Sequence, residues 1–240
     1  MDLEIKGFIE TSFIDWDGKV VSTLYVPLCN MKCPFCHNSG LVEKPGQYAT
    51  IPIEHIKGFL LKHKDFVDGI CLTGGEPFMH KDRGLFEFIG MIKDLGFKVK
   101  LDTNGTDPDA LKKAIDGKLV DYVAMDIKAP FDDRYHKLCG KKIDLHKIKE
   151  SAAVIMKSGI LYEFRTTVVP DLLSTKDIED IARGLRGAQK FVLQQFAPEN
   201  TWDESLREAR PYPKEKLEEM AEASKPYIKN TLIRGVKEVA

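Results

Sequence analysis

The sequence predicts an α/β protein built around a mainly parallel sheet. Short apolar segments rich in β-branched residues alternate with longer amphipathic segments, which is the pattern of strands buried on both faces and joined by helices. Polar residues recur where the predicted strands end, which is where parallel α/β folds build their sites. Repeated β–α units form either an open doubly wound sheet or an incomplete barrel, and the pattern alone favours neither.

The strands are predicted from short, nearly continuous apolar runs, and a hairpin signal precedes the first of them. Residues 8–26, FIETSFIDWDGKVVSTLYV, predict two antiparallel strands with a turn at DWDGK. The six main strand segments are residues 19–28, 69–74, 98–104, 122–128, 162–169 and 191–197.

Five amphipathic segments between these strands predict helices, and their ends carry the expected signals. Ser174 or Thr175 caps one start, while Gly96, Gly117 and Gly159 follow predicted last turns. The helical segments are residues 53–65, 83–95, 107–117, 144–159 and 174–185.

The alternation of strands and helices stops after residue 197. A polar connector, residues 198–213, leads to a predicted helix, residues 214–227, and a short strand, residues 230–236. We find no flexible linker, internal repeat or low-complexity tract. The prediction is therefore one domain, residues 1–197, with a C-terminal extension, residues 198–240, that packs on it.

The composition excludes several classes of protein. The 240 residues include 36 basic and 37 acidic side chains, for a net charge of −1, so there is no basic footprint for nucleic acid or a membrane surface. No apolar run reaches the ~20 residues of a membrane span, and the first residues, MDLEIKGFIE, lack the features of a secretory signal. We therefore expect a cytoplasmic protein.

Three of the five cysteines are crowded into the segment CNMKCPFCHN, residues 29–38. An odd count with this crowding favours metal binding or redox chemistry over a disulfide framework. The thiolates of Cys29, Cys33 and Cys36 can hold three irons of a [4Fe–4S] cluster, which leaves the fourth iron open to a small molecule. The alternative is zinc held with His37, but adjacent Cys36 and His37 cannot easily face one tetrahedral ion.

Each remaining candidate residue also has an ordinary structural explanation. Cys71 lies in mid-strand and is predicted to be a core residue, and Cys139 has no cysteine near it in sequence and is predicted to be incidental. His37 is predicted to form a hydrogen bond rather than to bind metal. Because side chains alternate along a strand, at most one of Gln194 and Gln195 should face the interior.

The cysteine motif with its companions resembles the radical S-adenosylmethionine (SAM) superfamily. CNMKCPFC fits the signature C-x3-C-x-aromatic-C, with Phe35 as the aromatic residue, and TGGEP, LDTNGT, AMDIKAP and FRTTVVP follow in the family's order. The resemblance covers about residues 10 to 200 and implies a partial (β/α)6, TIM-like barrel with the extension packed on it. CHN and DTNG are most similar to activating enzymes of glycyl-radical enzymes, in particular of anaerobic ribonucleoside-triphosphate reductase. DWDGK and QQF depart from the pyruvate formate-lyase activators.

The resemblance also implies roles for individual residues. The open iron would chelate SAM, Gly74 and Gly75 would let the backbone approach it, and Glu76 would meet its ammonium group. Lys128 would pair with the SAM carboxylate, and Arg165 would offer a second cation. A monovalent cation, K⁺ or Na⁺, would be held by Asp102, the Thr103 carbonyl and Asp126. Phe35, Asn104 and Gln195 complete the predicted SAM site.

The function implied is reductive cleavage of SAM to a 5′-deoxyadenosyl radical, which takes hydrogen from a glycine of a partner glycyl-radical enzyme. The partners would be that enzyme and a low-potential reductant such as flavodoxin or ferredoxin, with no membrane and no nucleic acid. A second hypothesis is a radical SAM enzyme that acts on a small molecule or a tRNA base. A third, a non-catalytic metal-binding interaction protein, leaves the strand-end motifs unexplained.

Overall fold

The computed structural model describes residues 2–236, and its strands form a single sheet whose order follows the chain. Residue 1 of the predicted domain and residues 237–240 of the predicted extension lie outside the described residues. The strands are β1 (Gly7–Ser12), β2 (Val21–Val26), β3 (Gly69–Gly74), β4 (Lys98–Thr103), β5 (Tyr122–Asp126), β6 (Leu161–Val168), β7 (Phe191–Gln195) and β8 (Thr231–Arg234).

The direction of the strands decides between the two predicted architectures. β1 and β2 form the predicted antiparallel hairpin, with Gly7 opposite Tyr25, and each strand from β2 to β8 is parallel to its neighbour. Strand order never reverses, so right-handed crossovers place the helices on one face and leave the other face as an interior. The sheet is therefore an incomplete barrel, in which β1 and β8 are not paired with each other.

The helices occupy the predicted segments, with two additions. The structure has α1 (Ser39–Glu43), α2 (Ile53–Lys62), α3 (Leu85–Asp94), α4 (Pro108–Asp116), α5 (Arg134–Cys139), α6 (Leu145–Lys157), α7 (Thr175–Gly184) and α8 (Lys214–Ser224). The sequence analysis missed α1 and α5, because helices of five and six residues are too short for a 3.6-residue period to show. At α7, Ser174 and Asp177 form a reciprocal capping box.

Residues beyond 197 take part in the sheet. β8 extends it by parallel pairing with β7, with Phe191 opposite Thr231, and α8 buries Leu217 and Met220. Arg234 on β8 binds the buried Glu163 on β6 at 2.9 Å. Within residues 2–236, no helix is long and apolar enough to cross a membrane.

The lower end of the interior, where the parallel strands begin, is filled by its own apolar cluster. Trp16 from the hairpin turn packs against Tyr122 at the start of β5, with ring centroids 5.7 Å apart. Val21, Cys71 and Ala124 complete the cluster. The space that remains open inside the sheet is therefore at the opposite end, where the strands finish.

Candidate active site

The carboxyl ends of the strands surround a cavity of about 390 Å³. The loop after β2 and the ends of β3 to β7 contribute to its walls, because the ends of adjacent parallel strands meet at one rim. The structure brings together all the residues predicted for the site. Those that line the cavity are Cys29, Cys33, Phe35, Cys36, Gly74, Gly75, Glu76, Asp102, Thr103, Asn104, Asp126, Lys128, Arg165 and Gln195.

The cysteine loop is held from two directions. The Lys32 N–H donates to the Cys139 carbonyl at 2.8 Å, and the Asp203 N–H donates to the Pro34 carbonyl at 2.8 Å. His37 Nε2 lies 2.7 Å from the Ala197 carbonyl oxygen, so its ring forms a hydrogen bond, as predicted. The connector of residues 198–213 thus fixes a loop that begins far away in the sequence.

Cys139 is not incidental, which corrects the prediction. It is fully buried at the end of α5, and a hydrogen bond with Cys139 lowers the pKa of Cys33 to about 7, with Lys128 contributing. The sequence offered no signal, since more than 100 residues separate the two cysteines. Cys71 is buried in the lower cluster, as predicted for a core residue.

The three loop thiols suit iron–sulfur ligation. All three are free, and the Met31 N–H donates to Cys29 Sγ at 3.4 Å while Asn104 Nδ2 lies 3.7 Å from the same sulfur. Such donors stabilise a thiolate and tune a cluster. Burial raises the pKa of Cys29 to about 12 and also raises that of Cys36, a cost that binding to iron offsets.

A single metal ion has no matching group of ligands. Within residues 2–236, no three His, Cys, Asp or Glu side chains are grouped to hold one ion. An iron–sulfur cluster does not need its ligands grouped around one ion, because each thiolate binds a different iron.

Glu76 joins the GGEP and DTNG motifs. Its carboxylate accepts hydrogen bonds from the Asn104 N–H at 2.7 Å, from the Thr103 hydroxyl at 2.8 Å and from the Phe78 N–H at 3.2 Å. Burial nevertheless raises the pKa of Glu76 to about 7. Hydrogen bonds within the protein therefore fix the position of the Glu76 side chain without any ligand.

Gly74 and Gly75 are required by the protein itself. A Cβ on Gly75 would lie 1.8 Å from the Leu28 carbonyl oxygen, and one on Gly74 would lie 2.5 Å from that of Val26. Gly74 also has φ +113°, which L side chains rarely adopt. The two glycines thus allow the chain after β3 to pack closely against the backbone at the end of β2. They can also leave room for a ligand.

Five charged side chains form a chain of alternating sign inside the barrel. Arg165 on β6 donates to Asp126 at 2.6 Å and to Asp102 at 3.1 Å. Lys128 binds the second oxygen of Asp126 at 2.9 Å, and Lys100 binds the second oxygen of Asp102 at 2.5 Å. All four carboxylate oxygens therefore already accept hydrogen bonds from cationic side chains.

These contacts shift the pKa values of the buried groups. Burial opposes the charged form of Asp126, yet Arg165 and Lys128 hold the pKa of its carboxyl far below the usual range. Burial also opposes the charge on Lys100, but Asp102 raises the pKa of that ammonium. The carboxylates of Asp102 and Asp126, predicted to hold K⁺ or Na⁺, do not fit that ion, because side-chain cations occupy all four of their oxygens.

The sequence analysis missed Lys100, which lies beneath the cavity, and also Tyr25, Thr73 and Thr167, which line it. The one available signal for Lys100 was the alternation of side chains along a strand. Lys100 and Asp102 are two residues apart on β4, so their side chains face the same side.

Both Gln194 and Gln195 border the cavity at the end of β7, and the Gln195 side chain donates to the Tyr212 carbonyl. That at most one of the two faces the interior stays a prediction.

Comparison with known proteins identifies the family. The family model described as Radical SAM superfamily matches residues 23–185. The chain belongs to the radical SAM superfamily. A Methanocaldococcus jannaschii protein with the provisional name of glycyl-radical enzyme activating enzyme is 35% identical over 243 residues, which cover 97% of this chain and 96% of that protein. The pyruvate formate-lyase-activating enzyme of Clostridium pasteurianum is 25% identical over 186 residues, or 74% of this chain and 76% of the enzyme.

A domain of an activating enzyme of known structure has a similar fold. The crystal structure of a domain of pyruvate-formate lyase-activating enzyme from Bacteroides vulgatus matches with a TM-score of 0.56 at 15% identity, and covers 70% of this chain and 99% of that domain. At this identity the similarity concerns the fold alone. As a radical SAM enzyme, the protein uses a [4Fe–4S] cluster and SAM, and the thiol chemistry of its cysteine loop fits the cluster.

Proposed function

We propose that this radical SAM enzyme activates a glycyl-radical enzyme by removing a hydrogen atom from the Cα of one of its glycines. The observation that carries the proposal is the way its cavity opens. Gln195 and Ala197 line the site cavity and also a groove of about 700 Å³ beside it. A cavity of this size suits SAM, and the groove gives a polypeptide segment a path to it.

The chain's own residues would position the reactants. Cys29, Cys33 and Cys36 would bind three irons, while Lys128 and Arg165 would present cations to the SAM carboxylate. When bound, the reduced cluster and SAM supply a 5′-deoxyadenosyl radical. Glu76 accepts three hydrogen bonds and has acceptor capacity left for the SAM ammonium.

The groove suits an extended chain. The ends of β7 and β8 and the connector border it, with Phe196, Tyr212 and Pro213 among its apolar walls. Gln195 donates from Nε2 to the Tyr212 carbonyl at 2.6 Å, and its Oε1 is buried without a partner among the described residues. A backbone N–H of a bound segment would satisfy that oxygen.

A glycine is the residue that such a site can attack most readily. It has no side chain to obstruct its Cα, and it adopts backbone conformations closed to other residues. The radical carbon must come within about 3–3.5 Å of the reacting atom, so the partner's loop must leave its own fold to enter the cavity.

The wider setting follows from the same chemistry. A low-potential reductant such as flavodoxin or ferredoxin would reduce the cluster, and the three crowded free thiols favour a reducing compartment such as the cytoplasm. A K⁺ or Na⁺ ion between Asp102 and Asp126 is not part of the proposal, because Arg165 already bridges them.

The test combines the reconstituted enzyme with SAM, reductant and the glycyl-radical enzyme of the same organism, without oxygen. The expected result is the doublet of a glycyl radical in electron paramagnetic resonance and one 5′-deoxyadenosine per radical. Deuterium on the target glycine Cα should appear in that 5′-deoxyadenosine. Cys33→Ala and a partner with its glycine replaced by alanine are the controls. Deuterium that arrives instead from a nucleoside or a small carboxylate would contradict the proposal in favour of the second hypothesis.

A further inference from the structure

The interior of the barrel contains a fully buried lysine beneath the SAM cavity. Lys100 lies in the middle of β4 with 2% of its surface exposed, and it is not among the residues that line the cavity. Its Nζ lies 2.5 Å from Asp102 Oδ1 and 3.7 Å from Cys71 Sγ. Lysine is almost never fully buried unless it is paired, so this side chain is held there by the Asp102 carboxylate.

The remaining carboxylate oxygens of Asp102 and Asp126 also accept hydrogen bonds from cationic side chains. Asp102 Oδ2 accepts from Arg165, Asp126 Oδ1 accepts from Arg165, and Asp126 Oδ2 accepts from Lys128. An alkali ion between the two carboxylates would have to displace the guanidinium of Arg165, which is held by two contacts at 3.1 and 2.6 Å.

The charges of the group support the same conclusion. Lys100, Arg165 and Lys128 carry three positive charges against the two negative charges of Asp102 and Asp126. The buried Glu163 also faces Lys100 and Arg165, but it is paired with Arg234 and Lys190. The five-residue group therefore has one positive charge in excess, which would face the carboxylate of SAM, while Glu76 would face the ammonium group of SAM. An added alkali ion would leave an uncompensated charge in a buried site, which is costly.

We propose that Lys100 acts as a built-in cation, so that this enzyme binds SAM without K⁺ or Na⁺. Lys100 is a positioning residue: it acts through Asp102 and completes the charge balance that an alkali ion would otherwise supply. If Lys100 is made neutral, the group lacks one positive charge, and an alkali ion next to Asp102 should then become favourable. The proposal concerns the SAM site, so it does not depend on which protein or molecule the radical attacks.

The test measures SAM binding to the anaerobically reconstituted enzyme by isothermal titration calorimetry. Buffers of equal ionic strength contain tetramethylammonium, sodium or potassium chloride. The wild-type Kd should agree within about twofold in all three, and metal analysis after gel filtration in potassium should find much less than one ion per chain. Lys100→Met should bind SAM at least tenfold more weakly in tetramethylammonium, and sodium or potassium should restore most of that affinity.

The matched control is Lys98→Met, which changes an exposed lysine two residues earlier on the same strand and should behave as the wild type. The proposal is overturned by a wild-type Kd that improves tenfold with alkali ions, or by one alkali ion per wild-type chain. It is equally overturned if Lys100→Met binds SAM normally without alkali ions, or if they restore nothing. The wild-type measurements can still overturn the proposal even if the variant does not fold.

Discussion

The carboxylate of Glu76, just after β3, accepts a hydrogen bond of 2.7 Å from the backbone N–H of Asn104, just after β4. This contact holds two neighbouring strand ends together at the wall of the cavity. Burial raises the pKa of Glu76 to about 7, and the hydrogen bond from Asn104 opposes this shift by stabilising the charged carboxylate.

Glu76 should make the stability of the protein depend on pH. A carboxyl with a raised pKa stabilises the fold most below its unfolded value of 4.5, and that stability is lost as the pH rises to about 7. Between pH 4.5 and 7.5 the wild type should lose about 3 kcal/mol relative to Glu76→Gln. Urea unfolding of the iron-free protein measures this difference. Glu204→Gln, on the surface, should follow the wild type, and parallel curves for Glu76→Gln would contradict the prediction.

Gly75→Ala should severely destabilise the protein, because the new Cβ would lie 1.8 Å from the Leu28 carbonyl oxygen. We expect a loss of more than about 3 kcal/mol or insoluble protein. Gly90→Ala in α3 is the matched control: its Cβ would meet nothing within 4 Å, so it should stabilise the helix by about 0.5–1 kcal/mol. Thermal unfolding of both variants provides the measurement, and two similar melting temperatures would refute the argument.

Glu163 should contribute stability that is lost in acid. Burial opposes its charge, but Arg234, Lys100 and Lys190 lower the pKa of this carboxyl to about 2. A carboxyl with a lowered pKa stabilises the fold above its unfolded value of 4.5, and the contribution is lost as the pH falls towards 2. The advantage of wild type over Glu163→Gln should therefore shrink by about 2 kcal/mol between pH 7 and pH 3. Urea unfolding at the two pH values provides the measurement. The stability difference between wild type and Glu218→Gln, a surface variant, should be the same at pH 7 and pH 3. A stability difference for Glu163→Gln that is equal at both pH values would contradict the prediction.

Loss of any loop cysteine should abolish the cluster, whereas the two other cysteines should be dispensable for it. Iron analysis after anaerobic reconstitution should give about four irons per chain for the wild type, Cys71→Ala and Cys139→Ala. Cys29→Ala, Cys33→Ala and Cys36→Ala should give much less. Because Cys139 lowers the pKa of Cys33, Cys139→Ala should also shift the cluster's reduction potential, measured by spectroelectrochemical titration. A full cluster in Cys33→Ala would exclude the assignment of ligands.

Local patterns account for the features that could be predicted. The spacing of Cys29, Cys33 and Cys36 lies within eight residues, and the cap and stop signals of α4, α6 and α7 lie within a turn of each helix. Patterns of this length are readable because the physical effect and its cause are adjacent in the chain. The division at residue 197 and the individual roles in SAM binding stay predictions.

The sequence by itself determined the strands, the main helices, the cysteine loop and the chemistry that this loop implies. The alternation of strands and helices left two architectures open, the family resemblance implied the incomplete barrel, and the pairing of the strands in the tertiary structure confirmed it. The tertiary structure alone placed Cys139 against Cys33 and Lys100 beneath Asp102, and it brought Arg165 between two carboxylates predicted to hold an alkali ion. Such contacts join residues that are far apart in the chain or on separate strands. Both of those carboxylates are neutralised by an arginine on another strand, so no short stretch of sequence shows which charges are paired.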